Sequence, residues 1–258
     1  MAKDTVQEES NIALYIDFDN IALGLKEAKL KHFEIERVIE RLADKGKIVV
    51  KKAYADWEYY GSYKRPLHEA GIEMIYIPQK HYSGKNSADI RLVVDAMDLC
   101  YSKEHIDLFV VASGDSDFSP LVSKLKENAK YTIGLGVKNS SSKLLIDNCD
   151  EFIFYEDLVR PKRKALPQQL STLPKKKVEA FNLLVDSLYA LMRENKDVIW
   201  GSMIKQNIKR KHPQFDEGYF GYHSFSQLLE DAERHKIFTM KKDERSGGYI
   251  ITKLNASA

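Results

Sequence analysis

Cysteine is nearly absent: the 258 residues contain two, Cys100 and Cys149. They stand far apart and form no C-x-x-C pair, which argues against a zinc site and fits a reducing cytoplasm. Long apolar runs are missing too. No stretch approaches the ~20 residues that a membrane-spanning helix needs, so no membrane is expected as a partner. The opening "MAKDTVQEES" is polar and acidic. It lacks the basic and apolar segments of a secretory signal, and a cytoplasmic protein is expected. The chain does have apolar residues in the usual supply, 43% of the total. That is enough for the core of one large domain or two ordinary ones.

The net charge of +2 conceals a division. Residues 1–159 hold 21 Lys/Arg against 27 Asp/Glu, a balance of −6, and residues 160–258 hold 19 against 11, a balance of +8. An acidic front and a basic back point to two modules with different partners, the basic one suited to nucleic acid.

In the front part, short apolar runs alternate with amphipathic stretches. Strands are expected at 12–18, 47–55, 72–77, 106–113, 131–137 and 151–155, and helices at 32–44, 59–70, 87–101, 117–130 and 141–148. In "ADIRLVVDAMDLCY" the apolar residues Ile90, Val93, Val94, Met97 and Cys100 follow helical spacing. Strands alternating with such helices imply an α/β domain with a Rossmann-like parallel sheet. The nearly continuous apolar character of the strands fits a sheet covered on both faces. This domain is taken as residues 11–158.

A stretch at 159–177 follows, rich in Pro and basic residues, and reads as a linker. After it, 178–195 is an amphipathic helix. A second helix follows with Ser202 as its expected N-cap and Pro213 as its stop, then a third helix over "YHSFSQLLEDAERHK". "IFTMKKDERSGGYIIT" reads as a hairpin around Gly247 and Gly248. Three helices and a hairpin make a second, smaller winged-helix-like α+β domain, taken as 178–254.

Acids gather where the strands of the first domain end. "YIDFDN" places Asp17, Asp19 and Asn20 after the first strand. "GKNSADIRL" places Asp89 in the first turn of a helix, and "SGDSDF" places Asp115 and Asp117 after the fourth strand. Open α/β sheets bind ligands at this carboxyl edge, near the switch in strand order. If strands one and four are neighbours, these acids share one cleft. Crowded carboxylates either rise in pKa or take up a cation. An oxygen-only donor set without His or Cys favours Mg²⁺ or Mn²⁺. Such an ion suits phosphodiester hydrolysis. Other roles exist for some of these residues. Asp19 could cap a helix starting at Ile21, Asp117 could cap one starting at Phe118, and Asp95 and Asp98 read as surface or supporting groups.

"ALYIDFDNI", "KNSADIRLVVDAM" and "VVASGDSDFSPLVSKLKE" together resemble the NYN domain of the PIN-like nuclease superfamily. The resemblance implies a Rossmann-like sheet whose acids bind a divalent metal for RNA cleavage. It implies Asp17, Asp89, Asp115 and Asp117 as metal ligands or water-positioning groups. It also implies Asn20 and Ser113 as hydrogen-bonding support beside Asp19, and Lys85 as a partner of the scissile phosphate.

"IWGSMIKQNIKRKHPQFDE", "SFSQLLEDA" and "GGYII" are similar to the OST-HTH/LOTUS domain, a winged-helix-like module tied to RNA and, in some animals, to helicase partners. From the residues themselves, Lys205, Lys209, Arg210 and Lys211 on the second helix, and Lys241, Lys242 and Arg245 on the wing, are expected to meet phosphates. Tyr222 and His223 are expected to be open to unpaired bases, and Phe225 to be core.

Together these features lead to a metal-dependent ribonuclease with a C-terminal RNA-binding module, acting on RNA, single-stranded by expectation, and with room for a protein partner on the LOTUS domain. Two rival functions share the sequence: a non-catalytic RNA-binding adaptor, and a haloacid-dehalogenase-type phosphatase suggested by "DFDN" and "GDSD".

Overall fold

The computed structural model describes residues 10–78, 87–160, 173–194, 198–244 and 246–255. The chain forms two compact units that divide after Arg160. Among the described residues no helix is long and apolar enough to cross a membrane.

The first unit runs β1 Asn11–Asp17, α1 Phe18–Glu27, α2 Ile35–Ala43, β2 Lys47–Ala55, α3 Gly61–Glu69 and β3 Glu73–Tyr76. It continues with α4 Ser87–Ser102, β4 Leu108–Ala112, a 3₁₀ turn Ser116–Phe118, α5 Ser119–Glu127, β5 Tyr131–Gly136, α6 Lys143–Asn148, β6 Glu151–Phe154 and α7 Tyr155–Val159. The last helix follows β6 so closely that its few residues carry no period to read in sequence. The strands form a six-stranded sheet in the order β3-β2-β1-β4-β5-β6, every pair parallel. The order reverses between β1 and β4, and their register sets Ile16 beside Ala112. Strands one and four are therefore neighbours, as a shared acidic cleft requires.

Strand alternation sorts the side chains onto two faces. Ile12, Leu14, Ile16, Val110 and Ala112 enter one core, and Ala13, Tyr15, Phe109 and Val111 enter the other, which α4 and α5 cover with Leu92, Ala96, Leu121 and Leu125. The near-continuous apolar strands follow from this two-sided burial.

Helix α4 is fixed to the sheet by more than its apolar face. Asp95, expected at the surface or in a supporting role, is largely buried and ties three donors together. These are the Tyr54 hydroxyl at 2.8 Å, the Lys52 ammonium at 3.1 Å and the Arg91 guanidinium at 2.9 Å. The Tyr15 hydroxyl donates to its backbone carbonyl at 3.3 Å. Burial alone would raise the Asp95 pKa, but the Tyr54 and Lys52 donors outweigh it and hold the carboxyl below its ordinary value. Asp98 stays exposed.

The second unit contains α8 Lys175–Arg193, β7 Ile199–Trp200, α9 Gly201–Lys211, a 3₁₀ turn Gly218–Phe220, α10 Phe225–Arg234, β8 Phe238–Lys242 and β9 Tyr249–Leu254. The strands pair antiparallel in the order β7-β9-β8. This is the smaller α+β winged-helix-like unit. Its helices close on Phe181, Leu184, Leu188, Ile204, Ile208 and Leu228. Two boundaries differ from expectation. Helix α8 begins at Lys175, inside the stretch read as linker, because Pro174 with its fixed φ stands at the N-cap. Helix α9 begins at Gly201 with Trp200 at its N-cap, so Ser202 lies inside the first turn and caps nothing. Ser224 does cap α10, accepting from the Gln227 amide at 3.2 Å, while Gln227 reaches back to the His223 amide at 2.7 Å.

Replacing Asp95 by alanine leaves the buried Tyr54 hydroxyl and the Lys52 ammonium without this acceptor. The expected loss is about 2–3 kcal/mol of stability in urea unfolding. A loss below about 0.5 kcal/mol, the range of an ordinary surface substitution, would show that Asp95 does not anchor α4.

Candidate functional site

Asp17 ends β1 at the reversal in strand order and is 5% exposed. It is the N-cap of α1: its extended backbone turns the chain, and its Oδ1 accepts from the Asn20 amide at 3.3 Å. The cap expected of Asp19 thus belongs to Asp17, because the helix starts at Phe18 rather than at Ile21. Asp19 sits within the first turn, near enough to the Tyr60 hydroxyl to add to the burial that pushes its pKa up. In the same way Asp115, not Asp117, caps the 3₁₀ turn, its Oδ1 accepting from the Asp117 amide at 3.0 Å.

Hydrogen bonds stitch the two strand ends together. The Ser113 hydroxyl donates to Asp17 Oδ2 at 2.9 Å and accepts from the Asp115 amide at 3.1 Å. The Gly114 amide donates to Asn20 Oδ1 at 2.8 Å. Gly114 has to be glycine: a Cβ there would fall 2.4 Å from the Ser140 carbonyl oxygen. The Ser142 amide closes the far side by donating to the Gly114 carbonyl at 2.8 Å. The "SGD" turn is thus clamped between the α1 start and the loop that follows β5.

The electrostatics follow from this crowding. Burial, with the Asp89 charge adding to it, pushes the Asp17 carboxyl up to about 7 against the Ser113 and Asn20 donors. Burial also pushes Asp89 up to about 6, with Asp115, Asp117 and Asp19 adding to the rise. Asp89 enters from the first turn of α4, Asp115 is half-buried, and Asp117 is exposed. These acids feel one another's charge. Even so, among the described residues no three Asp, Glu, His or Cys side chains form a ready-made metal cage. Asp17 and Asp115 are each turned toward their own capping amides, which sets their direction. Lys85 lies outside the described residues.

Two nearby residues are absent from the expected set. Tyr60 reaches Asp19, and Asp56 is a buried acid just beyond β2. A signal for them exists: "ADWEYY" follows β2 as "YIDFDN" follows β1, with an acid at the strand end.

In the second unit the expected RNA contacts separate. Tyr222 is not open to bases. It is 7% exposed, and its hydroxyl donates to Asp231 at 2.8 Å, because the ring fills the core beside Phe215 and Phe225. Phe225 is core as expected. Lys205 is held by Glu217 at 2.6 Å and lies over the Phe225 ring, so it is committed within the unit. Lys209, Arg210 and Lys211 fall in the last turn of α9. His223, Lys241 and Lys242 are exposed, and Arg245 lies outside the described residues.

A carboxyl whose folded pKa is raised contributes stability while it is protonated. That contribution is complete below the unfolded pKa near 4 and is lost as pH rises through about 7 for Asp17. Asp17→Asn stays neutral throughout. In EDTA near pH 8 the variant should melt at a higher temperature than wild type, by the equivalent of about 2–4 kcal/mol, and the two should converge near pH 4. A difference that is constant with pH would refute the buried, uncompensated carboxylate.

Residues 11–156 match the NYN domain and residues 172–250 match the OST-HTH/LOTUS domain. The chain is 30% identical over 145 residues to a Methanocaldococcus jannaschii protein described as uncharacterized protein MJ0482. That likeness covers 56% of this chain and 55% of the relative, so the chain spans about half the relative's length. Among solved structures, a protein of unknown function, VPA0982 from Vibrio parahaemolyticus, is similar with a TM-score of 0.52 at 25% identity, over 61% of this chain and 98% of that one. These findings leave the phosphatase reading of the acids without support. The parallel sheet, the acids at its switch point and the match over residues 11–156 agree: the chain belongs to the NYN domain family of the PIN-like nuclease superfamily, with an OST-HTH/LOTUS domain after the NYN domain.

Proposed function

We propose that this chain is a metal-dependent ribonuclease that hydrolyses RNA phosphodiester bonds and holds its substrate through the basic C-terminal domain. The observation that carries this reading is a buried carboxylate, Asp17, placed beside further acids at the switch point. Its charge meets hydrogen-bond donors but, among the described residues, no cationic side chain. A fold gains nothing from such a group, and a bound divalent ion would compensate it.

The donor set is entirely oxygen, which fits Mg²⁺ or Mn²⁺, and Asp17, Asp89, Asp115 and Asp117 would hold the ion. When bound, that ion supplies a water of lowered pKa and neutralises developing phosphate charge. The chain's own residues do the rest. Ser113 and the Asn20 amide fix Asp17, and the Asn20 side chain fixes the turn that presents Asp115. Asp117, exposed at the mouth, is suited to orient water. Lys85 would approach the scissile phosphate. On the second domain, Lys209, Arg210, Lys241, Lys242 and Arg245 would meet phosphates, and His223 an unpaired base. A protein partner is a further role for that domain.

The lack of a preformed three-acid cage among the described residues favours one other reading, an RNA-binding adaptor with a non-catalytic NYN domain. Cleavage of a labelled single-stranded RNA with Mg²⁺, Mn²⁺ or EDTA separates the two. Asp115→Asn should lower metal-dependent cleavage by about a hundredfold or more while RNA binding persists. Binding without cleavage by wild type in either metal would select the adaptor.

The wing makes its own prediction. Lys241→Ala with Lys242→Ala should weaken RNA binding regardless of sequence. It should also flatten the dependence of log affinity on log salt by about 0.7 for each phosphate that is no longer neutralised. An unchanged slope would remove the wing from the RNA-binding surface.

A further inference from the structure

We infer that Tyr59 and Tyr76 form a stacking platform for unpaired nucleobases beside the acidic cleft. This rests on the nuclease reading and deepens it by assigning a base-binding subsite.

The platform begins with a turn held rigidly from below. Trp57 is buried, and its indole N–H donates to the Ile75 carbonyl at 2.9 Å. The rings of Trp57, Tyr60 and Tyr63 pack on Phe18 with centroids 5.0–5.2 Å away. Phe18 is the residue directly after Asp17. The turn is thus tied to the acid-bearing end of β1 by a ring cluster, and Asp19 is near enough to push the Tyr60 hydroxyl pKa up.

Within this fixed turn, Tyr59 alone of the aromatic residues faces solvent, 68% exposed. Tyr76, at the carboxyl end of the edge strand β3, is 48% exposed, and its hydroxyl donates to Glu58 at 3.2 Å. Tyr59 directly follows Glu58 in the chain, and Tyr76 lies level with Ala55 at the end of β2, so the two tyrosines share one strand end. Two rings are thus held at the carboxyl edge of β2 and β3, next to β1, with their faces unused by the core.

The surroundings select the ligand. Glu58 and the buried Asp56 lie at the same strand end. Acids repel phosphate, so a backbone-binding role is disfavoured here. A neutral base presents a π-face without charge, and base–aromatic stacking is tolerant of sequence. A paired base keeps its faces inside the helix stack, so duplex substrates cannot use the platform.

The test uses the full chain carrying Asp115→Asn, which keeps the strand intact, with short single-stranded RNAs bearing 2-aminopurine at successive positions. One or two positions should show quenched fluorescence on binding. Tyr59→Ala and Tyr76→Ala should each abolish part of that quenching and weaken binding about fivefold to a hundredfold. Tyr59→Phe and Tyr76→Phe should retain both. An abasic site at the quenched position should weaken binding where both tyrosines are present but cost the alanine variants nothing further. Both rings are exposed, so thermal melting should be little changed and a folding defect is recognised directly. Quenching that persists in the alanine variants overturns the platform. With Asp115 restored, cleavage by wild type alongside unchanged KM in the alanine variants overturns it too and leaves the nuclease reading standing. Quenching that depends on the tyrosines in a protein that never cuts keeps the platform and removes the nuclease.

Discussion

The first domain depends on a single seam, where β1 and β4 lie side by side with Ile16 level with Ala112. That register brings Asp17 within reach of the Ser113 hydroxyl at 2.9 Å. The two chain segments are nearly a hundred residues apart in sequence. They meet at the point where the sheet reverses its order. Chain leaving β1 turns one way into α1, and chain leaving β4 turns into the 3₁₀ segment. The gap between the departing segments is the cleft. Each turn is made by a carboxylate that caps its own helix start. The residues that shape the gap are therefore the same residues that charge it.

This double use has a thermodynamic consequence. An N-cap carboxylate at the surface stabilises a helix by about 1 kcal/mol. Asp17 performs the same capping while buried, and burial together with Asp89 reverses the sign of its contribution above neutral pH. The domain tolerates this because its strands are packed on both faces, and because Asp95 anchors α4, which carries Asp89, through three donors. A stable scaffold and a strained site are thus parts of one arrangement. The buried charge calls for a frame that cannot relax away from it.

Much of this is legible in the sequence, for identifiable reasons. "IALYID" reads as a strand because every residue is apolar or at the strand's end, and two-sided burial demands that pattern. Asp17 and Asp115 stand out because an acid directly after such a run has no solvent to spare it. Other features depend on neighbours that sequence spacing does not display. Which residue caps α1 turns on a difference of three positions in the helix start, which the apolar period does not fix. Asp95 lies on α4 together with Asp89. Its three donors, however, come from β2 and from its own helix, and only the folded sheet brings β2 there. The polar surroundings of Tyr222 suggest exposure, yet Asp231 offers its hydroxyl an acceptor inside the core.

The contrast between the aromatic residues of the two domains shows what decides such cases. A tyrosine is buried when both its ring and its hydroxyl are satisfied there, as for Tyr222 with Asp231 and for Tyr155, whose hydroxyl lies between the Glu34 amide and the His32 carbonyl. Tyr59 meets neither condition. Trp57 and Tyr60 pack on Phe18, and Tyr59, between them in sequence, faces solvent. The same packing that locks the acid-bearing strand end leaves one ring outward beside it. Tyr76 stands half-exposed at the neighbouring strand end, with its hydroxyl donating to Glu58. The exposed rings are a geometric result of how the site is braced, and their place beside the acids needs no separate cause.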